Sequence, residues 1–285
     1  MHLVMKFSRT AQLILKGGIM SAVTPGKLSN LKKLSSDAGI IAAAAMDQRG
    51  SLKKTIAKER GVDPSEITHE IMSEFKTAVT KILTPHASAI LLDPEFGLEA
   101  AKARSENAGL LLAYEKTGYD QTGPGRLPSL VEGWTVAKSI EQGANAIKIL
   151  LYYSPFEETK INEIKHKWIE DIGNECKQHD IPFFLEFVGY PTKGEDQKGP
   201  EYAKLKPEIV AKSMEEYSKD RYHVDVLKVE IPVNMQFVKG AQSCKYEPVY
   251  DKSEAKNSFL KRGMLQRSPS SFCRPVSPMR DFVKV

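Results

Sequence analysis

Cysteine is scarce in this chain: Cys176, Cys244 and Cys273 are the only three in 285 residues, an odd number with no paired spacing. Neither a disulfide framework nor a zinc knuckle can be read from them, and a reducing cytosol fits best. Long apolar runs are missing as well. None approaches the roughly 20 residues that span a bilayer, so no membrane partner is expected. The six histidines, His2, His69, His86, His166, His179 and His223, include no pair at the short spacing that presents two imidazoles to one zinc. No G-x-S-x-G elbow is present, and MDQRG (46–50) has one glycine where an open dinucleotide-binding sheet usually carries a glycine fingerprint.

Negative charge is nearly absent from the C-terminal end. Lys256, Lys261, Arg262, Arg267, Arg274, Arg280 and Lys284 are opposed over the last thirty positions only by Asp281. A basic Ser/Pro tail is commonly a solvated, disordered end, and no nucleic-acid partner is expected from it. The first twenty residues have a basic start and an apolar patch broken by Lys16, with no clean small-residue cleavage site. They read as a plain N-terminal extension rather than a secretory signal.

Between these ends, apolar β-rich runs alternate with helical patterns. The runs are IIAAAAM (40–46), SAILL (88–92), GLLLAY (109–114), NAIKILLYY (145–153), PFFLEFV (182–188) and VDVLKVEI (224–231). Their lack of polar alternation predicts strands covered on both faces, as in a parallel sheet. Helices are expected over 64–83, with Asp63 as N-cap and Ile67, Ile71, Phe75, Ala78, Val79 and Ile82 on one helical face. Others are expected over 129–142 (capping box Ser129/Glu132, stop at Gly143), over 158–178 and after Pro207. This order predicts right-handed βαβ units. Asp47, Gln48 and Arg49, Asp93 and Glu95, Glu115 and Lys116, Glu186, Glu230 and Asn234 all fall at or just past strand C-terminal ends, the face on which barrel enzymes assemble their chemistry. The fold class is therefore α/β, of the (β/α)8 TIM-barrel type, but incomplete: about six of eight βα units are legible.

Two strand lysines stand out. Lys228 lies between Leu227 and Val229, and Lys148 within AIKILLYY. A strand lysine can snorkel outward or pair with an internal carboxylate. It can also be an imine-forming nucleophile, which must attack as the neutral amine; burial and a second cation favour that form. Glu186, in the apolar FFLEF, supplies a proton-transfer carboxyl. Lys, Lys and Glu on three strands are the parts of a metal-free aldolase. Asp93 and Glu95 could hold Mg²⁺, yet LLDPEFG reads equally well as a strand followed by a proline turn. Cys176, on a helical pattern, reads as core.

AMDQRGSLKK, TPHASAILLDPEFGLEAAKA, GLLLAYEKTGYD, GANAIKILLYY, IPFFLEFVGY, YAKLKP and VDVLKVEIPVNM together resemble the class I tagatose-1,6-bisphosphate aldolases in order and spacing, from about residue 40 to 256. The resemblance implies a (β/α)8 barrel and reversible cleavage of D-tagatose 1,6-bisphosphate to dihydroxyacetone phosphate and glyceraldehyde 3-phosphate, with no metal and no cofactor. It implies Lys228 as the Schiff-base lysine, Glu186 as the acid/base carboxylate, and Lys148, Asp47 and Gln48 as substrate contacts. The expected partner is a ketose bisphosphate, with homo-oligomer formation left open and a cytoplasmic location. Family members continue with two more βα units that hold phosphate, whereas this sequence continues with SFLKRGMLQRSPSSFCRPVSPMRDFVKV, which reads as another frame. The expected organisation is an N-terminal extension (1–30), an incomplete aldolase barrel (31–256) and a disordered basic tail (257–285). Alternatives are a class I aldolase for fructose 1,6-bisphosphate or a sulfonated sugar phosphate, and an inactive sugar-phosphate-binding fragment.

Overall fold

The structure, a computed structural model, describes residues 3–6, 23–116, 125–265 and 274–275. Six strands form a parallel, curled half-barrel: β2 (Ile40–Ala45), β3 (Ala89–Leu92), β4 (Gly109–Ala113), β5 (Ala146–Tyr152), β6 (Phe183–Val188) and β7 (Val226–Val229). Each pairs with the next in chain order. Two further strands extend the sheet beyond β2. β1 (Leu3–Lys6) runs antiparallel to it, and the two-residue β8 (Arg274–Pro275) is antiparallel to β1. Both come from stretches read from sequence as extension and tail; residues 7–22, 266–273 and 276–285 lie outside the described residues.

The six parallel strands are those expected from the apolar runs, and the physical reason holds: β3 and β4 are buried at every position. One face packs on helices and the other lines the interior of the curl. The helices are α1 (Pro25–Lys33), α2 (Gly50–Arg60), α3 (His69–Leu83), α4 (Leu98–Ala103), α5 (Val136–Glu141), α6 (Thr159–Gln178), α7 (Pro200–Tyr217) and α8 (Lys252–Leu265). Cys176, on α6, is fully buried in the core.

Three helices differ from expectation. The pattern over 64–83 divides at Ile67, whose backbone is extended: Asp63 caps a short 3-10 turn, Pro64–Glu66, and Thr68 caps α3 by accepting from the Ile71 amide. The buried face of α3 is also not the apolar stripe. Met72, Lys76 and Thr80 turn inward, while Phe75 is 40% and Ile82 69% exposed. The rotation follows from Lys76, whose ammonium is drawn to Asp93 at the end of β3 and donates to the Met46 carbonyl. The expected helix over 129–142 starts later, at Val136, because Ser129 and Leu130 are used in a bridge with Glu115 and Lys116. Gly143 does end it, at φ +84°. α7 begins at Pro200, with Pro207 inside it rather than before it.

α6 positions β7 indirectly. At Gly173 the carbonyl of Tyr222, in the turn that feeds β7, comes so close that an added Cβ would lie 1.9 Å from its oxygen. Gly173→Ala should therefore force the turn off the helix and destabilise the fold by about 3 kcal/mol. The expected readout is a lower urea midpoint with an unchanged m-value.

Candidate active site

Register decides which side chains meet. Across the parallel ladder Ala113 is level with Lys148, Lys148 with Phe184, and Glu186 with Lys228. Alternate residues of a strand share a face, so Lys148, Glu186 and Lys228 all project into the curl. There they form a row of charges. Lys228 Nζ lies 2.8 Å from Glu186 Oε1, and Lys148 Nζ lies 3.0 Å from Glu186 Oε2. Glu186 thus bridges the two ammonium groups. Lys148 also donates to Asp47 Oδ2 at 2.8 Å, just past β2, and lies 3.4 Å from Glu115 Oε1, just past β4.

Four of the five site residues expected from sequence are in this cluster. The fifth, Gln48, is exposed beside it at the end of β2 and joins none of these contacts. Two further residues at strand ends, Glu115 and Arg49, join the site without a role that the sequence assigns. Glu115 has the same parity as Leu111 and Ala113 on β4, and that alternation was the signal that could have placed it inside. Arg49, 3% exposed, donates from Nη2 to the Glu115 carbonyl at 2.6 Å and from Nη1 to Glu95 Oε2 at 2.5 Å. Asp93, fully buried, pairs with Lys76 and accepts from the amides of Glu95 and Phe96. Asp93 and Glu95 are thus each engaged by a cation of the protein itself.

The charges are unequal in their settings. Burial works against the Lys148 ammonium, but Glu115, Asp47 and Glu186 together outweigh it and hold its pKa well above the ordinary value. Burial also works to raise Asp47, and Lys148 overrides it, with help from Lys228, so that carboxyl is lowered. For Glu115 burial prevails over the attraction of Lys148, and its pKa is raised. Its Oε2 is buried with no hydrogen-bond partner among the described residues. Lys148 is therefore a fixed cation, whereas Lys228, 22% exposed on its side chain, has Glu186 as its one ion-pair partner among the described residues.

Comparison with known proteins decides the family. The profile of the DeoC/LacD family aldolases matches residues 41–261. The chain belongs to this family. Tagatose 1,6-diphosphate aldolase 2 of Enterococcus faecalis is 52% identical over 253 residues, 89% of this chain and 75% of the relative. Tagatose 1,6-diphosphate aldolase 1 of the same organism is 48% identical over the same shares. The tagatose 1,6-diphosphate aldolase of Listeria innocua is 50% identical over 240 residues, 84% of this chain and 69% of its own. Among solved structures, a Schiff-base-forming fructose-1,6-bisphosphate aldolase aligns over 81% of this chain and 83% of its own, at 13% identity and a TM-score of 0.44, too remote to inform the site.

Removing the central cation of this family member should leave three carboxylates facing one another. Lys148→Met is expected to destabilise the protein by about 3–5 kcal/mol at pH 7, with part of the loss recovered in Lys148→Met/Glu115→Gln. The pH dependence has a definite sign. The raised Lys148 value makes its contribution complete below about 10.5 and lost as pH climbs through the higher folded value; that alkaline loss should vanish in Lys148→Met. Asp47 contributes above about 3.8, and its share is lost as pH falls through its lowered folded value. Urea denaturation across pH measures both arms.

Proposed function

We propose that the chain is a metal-free class I aldolase that cleaves D-tagatose 1,6-bisphosphate to dihydroxyacetone phosphate and glyceraldehyde 3-phosphate, with Lys228 as the imine-forming nucleophile. The observation that carries this reading is the asymmetry of the two inner lysines. Lys148 faces three carboxylates and stays an ammonium, suited to holding an anionic substrate. Lys228 faces one carboxylate, Glu186, at 2.8 Å, and keeps a share of solvent. The 52% identity to a protein named for tagatose 1,6-diphosphate supports the choice of sugar.

The chemistry follows from these positions. The neutral Lys228 amine adds to the C2 ketone, and loss of water leaves a protonated imine. That imine is an electron sink: when Glu186 removes the C4 hydroxyl proton, the C3–C4 bond breaks, its electrons pass into the enamine, and glyceraldehyde 3-phosphate departs. Protonation at C3 and hydrolysis of the imine release dihydroxyacetone phosphate and restore the amine. Asp47 and Gln48, at the end of β2, are the proposed contacts to the sugar, and Lys148 the cation near a phosphate. The proposed catalytic unit is residues 31–256, an incomplete barrel flanked by an extension (1–30) and a basic tail (257–285), with α8 continuing past residue 256. No helix among the described residues is long and apolar enough to cross a membrane; a cytoplasmic site of action is part of the proposal.

Borohydride trapping with dihydroxyacetone phosphate, followed by peptide mass spectrometry, tests the assignment. The reduced adduct is expected on the peptide that holds Lys228 and absent from Lys228→Met. Glu186→Gln should still trap, while its cleavage rate falls by about 10²–10⁴. An adduct on Lys148, or none on a folded protein, would remove Lys228 from this role.

A further inference from the structure

Beside the ends of β5 and β6, outside the row of charges, a further cation is presented in an unusual way. Gly125 and Arg126 are successive left-handed residues, at φ +76° and +49°. Gly125 has no room for a side chain, since an added Cβ would lie 2.3 Å from Ile161 Cγ2. Arg126 is not a glycine, so its conformation is strained and is held by the surrounding structure. The turn lays its guanidinium over two rings, 4.9 Å from the centroid of Tyr152 and 5.1 Å from that of Tyr190. Among the described residues it forms no ion pair and donates no hydrogen bond. A half-buried guanidinium with an aromatic floor and its donor fork unused is arranged for a bidentate anion.

Place and charge agree. Tyr152 is on the same face of β5 as Lys148 and one pleat above Leu150, which is level with Glu186 and, through it, with Lys228. Two strand spacings separate β5 from β7, so Tyr152 stands about 10 Å to the side of Lys228 and about 7 Å above its level, and the Arg126 guanidinium lies between its ring and that of Tyr190, just past β6. A phosphate on C1, next to the C2 that Lys228 attacks, must stay close to β7. A phosphate on C6 lies four carbons away and reaches toward β5. Behind the rings, Lys165 is fully buried, with its ammonium hydrogen-bonded to the Tyr190 hydroxyl, which in turn donates to Glu157. Burial lowers the Lys165 pKa to about 8; Glu157 opposes the change and Arg126 adds to it.

Resting on the aldolase reading above, we infer that Arg126, presented over Tyr152 and Tyr190 by a left-handed turn, binds the C6 phosphate of the substrate, on the far side of the scissile bond from Lys228. Arg126 is then a specificity residue for bisphosphates over monophosphates.

The test is the affinity of the full chain and of Arg126→Met for a hexitol 1,6-bisphosphate and a hexitol 1-phosphate, by titration calorimetry. A hexitol has no carbonyl and forms no imine, so the result does not depend on Lys228. The expected outcome is about a 30-fold weaker Kd for the bisphosphate in Arg126→Met, with the 1-phosphate changed less than about threefold. Arg126→Lys, which keeps the charge and loses the fork, should fall between. Equal loss for both ligands, no loss for either, or a native chain that binds the bisphosphate no more tightly than the 1-phosphate would overturn the inference. Trapping by dihydroxyacetone phosphate, which lacks the distal phosphate, should be unchanged in Arg126→Met. Failure of trapping in the native chain would count against the aldolase reading, while the hexitol comparison would still decide the role of Arg126.

Discussion

The ammonium of Lys148 is the tie on which the interior depends. In a flat sheet β2 and β5 would stand three strand spacings apart, about 14 Å. Lys148 on β5 nevertheless reaches Asp47, beyond the end of β2, at 2.8 Å. Only a curled sheet allows that contact, so the ion pair is both a consequence of the closure and a reason for it. The same ammonium meets Glu115 beyond β4 and Glu186 on β6. One buried cation thus joins four segments of the half-barrel. Burying a charge is costly unless it is paired, and here the pairing is threefold.

A second layer of charge keeps the first in place. Lys76 crosses from α3 to Asp93, and Arg49 bridges the Glu115 carbonyl and Glu95. These contacts order the loops after β2, β3 and β4, from which Asp47 and Glu115 reach Lys148. The arrangement also divides labour between the two lysines of the inner face. Lys148 is fixed as a cation by its surroundings, and a fixed cation can hold an anion but cannot attack a carbonyl. The residue left with one carboxylate and a share of solvent is Lys228.

The parts of this structure legible in the sequence are those governed by one local rule. Strands buried on both faces read as unbroken apolar runs, and β2 to β7 were found that way. Helix α3 was not, because its orientation is set by a contact across the fold. The apolar stripe of Phe75 and Ile82 asks for burial, but the pairing of Lys76 with Asp93 turns the helix so that both remain exposed. The start of α5 was missed for a related reason. Ser129 has the chemistry of a cap, yet its carbonyl accepts from the Lys116 amide, a partner too distant in sequence to foresee. In the site, Lys228, Glu186, Lys148 and Asp47 were accessible through residue type at a strand or strand end. Gln48 has the right type in the adjacent position and lies exposed beside the cluster, outside its ion pairs. Arg126 had no sequence signal at all, since its significance lies in backbone sign and in two tyrosines brought together by the sheet.

The charged row needs only the parallel strands described here. Lys228, Glu186 and Lys148 come from three adjacent strands whose register sets their heights, and Asp47 and Glu115 close the row from the other side of the curl. The contact that fixes β7 in this row is modest: four residue pairs with β6, and a turn held against α6 where Gly173 leaves space. Lys228 therefore sits on a four-residue strand that, among the described residues, is paired on one side only, while Lys148 sits on β5, held from both sides. A rigid cation beside a less constrained amine suits a reaction in which the first must hold a charge still and the second must bond, rehybridise and let go.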